Sequence, residues 1–315
     1  MKLSRLIPLL LVSCMARNAA ADGLVDTLVK RFAESDFVFT RVSSNASLPP
    51  LAKVAATGYS QAEFSNPDGG ASGTTAQQST FSQYVLVPIP LTKRDALVIG
   101  EWTDSTHFDL DNAGVDDLDV LSVSVPIGWA RQMNPAWQLG AFVAPLGHRT
   151  SEDDWYWETL GGVFARYVHD ERFAWVFGVY FDVAPLEDFY VPYLGATFLL
   201  NDRWTINAIM PWPSITYAPS TKTMFRLGVS PSGTSWSVQP GVREPRVDFS
   251  AWNFGLAFEK RLWKNLWFGA EAGVSGLRGL SFAGDEWQGV ETQLSRTGYA
   301  TISVNFRPGG FKEKQ

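Results

Sequence analysis

FARYVHDERFAWVFGVYFDV, residues 164–183, decides how this chain is read. After the polar centre HDER, large apolar residues fall on every second position: Phe173, Trp175, Phe177, Val179, Phe181 and Val183. Ala174, Gly178, Tyr180 and Asp182 are among those between them. A period of two over that length is a β-strand with one greasy face and one mixed face. The fold then depends on which solvent the greasy face meets.

The same pattern recurs along the chain. Leu121, Val123, Val125, Ile127 and Trp129 alternate with Ser122, Ser124, Pro126 and Gly128. Trp252, Phe254, Leu256 and Phe258 alternate with Asn253, Gly255, Ala257 and Glu259. Leu266, Phe268, Ala270, Ala272 and Val274 alternate with Trp267, Gly269, Glu271 and Gly273. A soluble barrel or sandwich would turn the apolar residues inward and coat the other face with Lys, Glu and Thr. Here the second face is small and sparsely charged, which puts the apolar face in lipid and the small, polar face in a lumen. Parity then lines the lumen with Arg166, Asp182, Arg226, Glu259 and Glu271, with Arg166 and Arg226 available to the carboxylates. Folding the 261–265 hairpin sets Glu271 opposite Gly255. The competing reading makes the aromatic residues the filling of a soluble β-core.

Two kinds of connection separate the strands. Short ones are 92–95, 131–135, 169–172, 201–203, 230–234 and 261–265; long ones are 65–79, 109–117, 147–156, 184–190, 211–221, 239–246 and 275–291. Strict alternation of this sort is how a meandering outer-membrane barrel is wired, and it yields about fourteen strands, or twelve if the segment around 235–239 does not span. Both chain ends then lie on the periplasmic side. Trp129, Trp137, Tyr167, Trp175, Trp263 and Trp267 flank short turns, while Trp102, Trp155, Trp157, Trp212 and Trp287 lie near long loops, so two interfacial girdles are expected. Beyond the N-terminus no run of about 18 apolar residues encodes a spanning helix. A chain with 13 Trp and 21 Phe still suits a membrane if its sheet closes on itself.

The termini add context. Lys2 and Arg5 precede an apolar run from Leu6 to Ala16 and the small residues Ala19, Ala20 and Ala21, the layout of a secretory signal peptide over 1–21. In the alternative, LVSC at 11–14 is a lipoprotein box and Cys14 is lipidated. Cys14 is the single cysteine, so disulfides cannot staple the mature fold. Residues 22–50 form an amphipathic helix over 22–34 and an extended segment, 51–307 the barrel, and 308–315 a tail. Without Lys2, Arg5 and Arg17 the chain carries 23 basic against 32 acidic residues, which argues against a nucleic-acid partner. The last strand, TGYATISVNF, places Gly298, Ala300, Ile302, Val304 and Phe306 on one face and ends in Phe. It resembles the aromatic-ended signal that hands outer-membrane barrels to their insertion machinery, although nine residues follow Phe306. Through VPYLGATFLLNDRWTINAIMPWPSITY, 191–217, the chain is similar to an uncharacterised bacterial domain-of-unknown-function family of predicted outer-membrane β-barrels, over about Val54 to Phe306. That resemblance implies the fold and carries no catalytic residues.

Candidate chemistry is sparse. Ser105, His107 and Asp109 share one strand face near the outer rim, the residue types of a lipid hydrolase. Their spacing of about 6–7 Å exceeds direct hydrogen bonding unless the strand bulges. His148 lacks a well-spaced nucleophile in sequence, and His169 sits in a turn. The loop from Asp109 starts like a calcium loop, but Ala113 and Val120 break the pattern, leaving at most a weak divalent site against metal-bridged lipopolysaccharide. The expectation is an all-β, closed, antiparallel meandering transmembrane β-barrel in the cell outer membrane. It acts as a porin-like channel or structural envelope protein without catalysis, cofactor or metal. Its partners are outer-membrane lipid, lipopolysaccharide and the insertion machinery. The alternatives are a lipid hydrolase using Ser105 and His107, and a periplasmic lipoprotein anchored at Cys14.

Overall fold

The computed structural model describes residues 27, 35–37, 44–65, 71–111, 117–150, 155–183, 188–237, 246–283 and 290–307. The signal segment, Cys14 and, Thr27 apart, the expected 22–34 helix lie outside the described residues, as do loop centre 112–116 and Trp287. In chain order the strands are β1 Ala52–Tyr59, β2 Ala62–Ser65, β3 Ala71–Pro90, β4 Asp95–Asp111, β5 Leu118–Ser124, β6 Ile127–Gln132, β7 Trp137–Thr150, β8 Tyr156–Val168 and β9 Phe173–Val183. They continue with β10 Asp188–Leu199, β11 Trp204–Ile209, β12 Ser214–Ser220, β13 Thr223–Ser237, β14 Arg246–Trp263, β15 Leu266–Ala283, β16 Val290–Leu294 and β17 Thr297–Phe306. All belong to one antiparallel sheet. Brief interruptions divide β1 from β2, β5 from β6 and β16 from β17, so the wall has fourteen strands. The ring closes where Ala52–Tyr59 pairs with Phe306–Tyr299.

Two connections differ in kind from the sequence expectation, and two expected loops, 65–79 and 275–291, are shorter, since β3 begins at Ala71 and β15 runs to Ala283. Residues 230–234 are not a turn, because β13 runs straight through them and pairs continuously with β14. Residues 211–221 are not one loop: a tight connection after Ile209 leads into β12, which turns at Thr221–Lys222 into β13. The strand count survives because one false turn replaced one missed strand. Proline misled in both places, since Pro231 lies inside a strand and Pro213 directly precedes one.

The β11–β12 hairpin is short, six and seven residues, where a tilted transmembrane strand needs about 9–11. Its ladder ends at Gly195↔Ile209 on one flank and Ser214↔Gly228 on the other. Above those rows, β10 and β13 each have a wall neighbour on one side alone. The wall is notched there, and Trp212, at the hairpin tip, packs its ring against Tyr180 and Tyr193.

Exposure identifies the outer face. Trp175, Val179 and Val183 on β9, Phe254 and Leu256 on β14, and Ile302 and Val304 on β17 are exposed, while Ala174, Ala257 and Ser303 between them are buried. An exposed apolar belt around a closed barrel requires hydrocarbon, the arrangement of an outer-membrane barrel. At the short-turn rim the outward aromatics form a band: Trp137–Tyr167 at 4.9 Å, Phe173–Phe198 at 4.8 Å, Trp204–Tyr217 at 4.5 Å and Phe225–Phe258 at 5.3 Å between centroids. Trp155 and Trp157 stack at 5.7 Å at the long-loop rim. Trp102 and Trp267 are not girdle residues, since their parity turns them inward and Trp267 is buried. Glu101 is an outward carboxylate, and Gln83 Nε2 (3.1 Å) and Thr103 Oγ1 donate to it, so it is not bare toward lipid.

Candidate functional site: the barrel interior

The interior has three zones. Toward the long loops, inward Ala62, Ala76, Phe108, Val120 and Leu294 meet Phe249 and Ala251 of β14 in one apolar cluster. Phe108 and Phe249 touch edge to face at 5.5 Å. β13 also reaches across the lumen to β7 and β5. These ends cap the barrel because the long strands β3, β14 and β15 (20, 18 and 18 residues) outrun the hydrocarbon thickness and can pack as a small sandwich.

At the short-turn end described residues before β1 meet the rim at two places. Asp36 N–H donates to Lys93 O and its carboxylate meets Arg94 at 3.2 Å, beside the β3–β4 turn. On the opposite side of the ring Asn45 N–H donates to Asp202 O, Ser44 Oγ lies 3.3 Å from inward Thr205 Oγ1, and Asn45 Nδ2 donates to Ala218 O. The chain then returns past Arg307, whose Nη1 donates to Leu48 O, to enter β1.

Between the cap and the short-turn rim lies a polar chamber. Arg226 Nη2 donates to Glu271 Oε2 at 3.1 Å, and Tyr299 OH donates to Glu271 Oε1 at 2.6 Å. Lower down, Glu259 accepts from Arg307 Nη2 and from Asn305 Nδ2 at 3.2 Å. Lys53 lies within electrostatic reach of both carboxylates. The Arg226 side chain keeps 39% of its surface exposed although it points inward, so this chamber admits water. Across the lumen Arg166 Nη1 donates to Gln138 Oε1 at 3.1 Å. The register thus sets Arg166, Asp182, Arg226, Glu259 and Glu271 on the inward face; of these it joins Arg226 to Glu271 alone. The Cα partner of Glu271 is Ala257 rather than Gly255, because the hairpin turns on Lys264–Asn265, with Lys264 at φ 43°, and so runs longer than expected. Gly255 still provides the room: Glu271 Oε1 and Tyr299 OH occupy the place a Cβ there would fill.

Residues that single-strand parity did not connect complete the interior. Arg307, just past the last strand, is one; its inward parity with Asn305 was the available signal. Another group is Ser122, His148 and Glu158 on β5, β7 and β8. Ser122 Oγ lies 2.7 Å from His148 Nδ1, and His148 Nε2 lies 3.1 Å from Glu158 Oε1. These are the types of a nucleophile–base–carboxylate relay, but His148 and Glu158 are 3% and 5% exposed, so the group ties three strands and stays shut from substrate. His107, on the outward face, turns to Asp119 at 2.9 Å rather than to Asp109, because Asp119 is its direct cross-strand partner. Among the described residues no three acidic, His or Cys groups gather to hold a metal.

No family model and no curated protein matches the chain. Solved structures do resemble it. A Pseudomonas aeruginosa FadL homologue is 11% identical, with 81% of this chain and 89% of that one covered and a TM-score of 0.43. An outer-membrane channel from Pseudomonas putida F1 is 11% identical over 82% and 97%, TM-score 0.47. The P. putida toluene transporter TodX is 8% identical over 82% and 91%, TM-score 0.39.

Proposed function

We propose that the protein is a porin-like outer-membrane channel whose lumen is closed by the apolar cap in the form described. The observation that carries this reading is the wet, charge-lined chamber around Arg226 and Glu271: a purely structural barrel gains more from a dry, well-packed interior than from hydrated ion pairs. Membership of the uncharacterised barrel family suggested by 191–217 belongs to the same reading, as do lipopolysaccharide at the long-loop rim and insertion machinery at β17. The function is non-catalytic, since His107 is engaged with Asp119 on the lipid side and the Ser122–His148–Glu158 group is sealed.

Planar-bilayer conductance tests it. Wild type conducts in small steps, and Phe108→Ala with Phe249→Ala, which opens a hydrophobic constriction, enlarges them. Glu259→Gln with Glu271→Gln leaves Arg307 and Arg226 unneutralised, so the reversal potential moves toward anions, less so at high salt. Silence from both correctly folded wild type and the cap variant would make a structural role the better account.

A further inference from the structure

Where the cap meets the chamber, the interior holds a cation that no described carboxylate pairs. Arg278 is 3% exposed. Its Nη2 donates to Gln78 Oε1 at 3.0 Å, and its guanidinium carbon lies 5.4 Å from the ring centroids of Tyr59 and Phe249. Among the described residues its Nε and Nη1 have no hydrogen-bond partner and no carboxylate reaches it. Glu271, seven residues back along β15, is held by Arg226 and Tyr299. A guanidinium cannot shed its proton to escape burial, so a neutral residue or a stray water does not balance it.

The backbone is arranged to put this side chain there. The β14–β15 ladder shifts register between Ser250↔Gly279 and Trp252↔Gly276, a bulge that places an extra residue on β15. Leu277 in that bulge has φ 50°, a left-handed conformation that costs a branched residue energy, and its side chain points out to solvent or lipid, 76% exposed. Without the bulge, strict alternation from Ser275 would turn residue 278 outward; with it, Arg278 points inward. Beside it, Ser275 is fully buried with its hydroxyl unpartnered. Asn253, the neighbour across from Ser275, donates Nδ2 to Tyr59 OH at 3.0 Å and leaves Oδ1 unused. A bulge, a strained residue, a buried unpaired cation and an idle buried hydroxyl converge on one spot.

We propose that Arg278 anchors a binding site for one monovalent anion, either the carboxylate of a small organic acid or a simple inorganic anion. Nε–H and the Nη1 donors take the charge, the Ser275 hydroxyl adds a donor, and the Tyr59 and Phe249 rings line the sides. The site needs no conduction to exist, so its test is independent of the channel reading.

Equilibrium dialysis of the full-length protein in detergent measures it, with radiolabelled benzoate in one arm and radioiodide in the other. About one saturable site per chain is expected in wild type, and the arm that binds names the source of the anion. Arg278→Met weakens that binding by about tenfold or more, the loss of a charged hydrogen bond, while Arg131→Met on the rim leaves it unchanged. Arg278→Lys keeps the charge and loses part of the affinity, which covers the case in which the Met variant does not fold. Anomalous diffraction from wild-type crystals soaked in bromide supplies a reading free of variants, with a peak at hydrogen-bond distance from Arg278. Absence of saturable binding in both arms together with no bromide at Arg278, or equal binding by folded Arg278→Met, would overturn the site.

Discussion

Phe254 and Ala257 stand three residues apart on β14 and answer to different solvents. Phe254 is 45% exposed on the outer belt, and Ala257 is buried inside between Arg226 and Glu271, its two cross-strand partners. Phe254→Arg is expected to cost about 2–4 kcal/mol if it lies near the midplane, whereas Ala257→Ser costs less than about 1 kcal/mol. Urea titration, followed by the fraction that stays folded, measures both, and equal tolerance would reverse the inside-out assignment. Gly178 does not share the tolerance of Ala257, although parity also turns it inward. A Cβ there would run into the Val163 carbonyl and the Tyr193 hydroxyl, so even a small side chain must displace backbone. Outside the β15 bulge, side-chain direction was legible because it needs only a period of two. Partnership was not: Glu271 with Arg226, Glu259 with Arg307 and His148 with Ser122 all depend on registers that one strand's sequence does not contain.

At the scale of elements, the strands most easily read were those with uninterrupted alternation, β9, β14 and β17. The notch was the part misread, and its prolines explain why. Pro192 and Pro231 lie in the stretches of β10 and β13 that stand above the β11–β12 hairpin. A residue without an N–H fits a strand that is free on one side, so these prolines mark edges, not turns. The amides of Val191–Leu194 that point into the notch are therefore expected to exchange with solvent deuterium about a hundredfold faster than those of Phe254–Phe258, which are paired on both sides. Equal protection would mean that the hairpin extends further up the wall than its six and seven residues do here.

For the molecule as a whole, the alternation of tight and long connections announced a closed meander, but it could not announce a capped one. The apolar cluster sets β2, β3, β4 and β5, consecutive in the meander, with β14 and β16, which come near them when the ring has closed. Closure itself has a measurable result. An unboiled sample is expected to migrate differently from a boiled one on a denaturing gel, because a ladder without an edge resists detergent unfolding. Identical migration, with extraction by urea alone, would argue for a soluble sandwich. The seam that closes the ring also brings Leu51 N–H to the Phe306 carbonyl at 2.9 Å, so the two ends of the wall lie side by side. Along such a ring the starting point is a convention. A circular permutant that joins Phe306 to Ala52 and begins instead within the turn at 169–172 should build the same wall, with the same fourteen strands in rotated order.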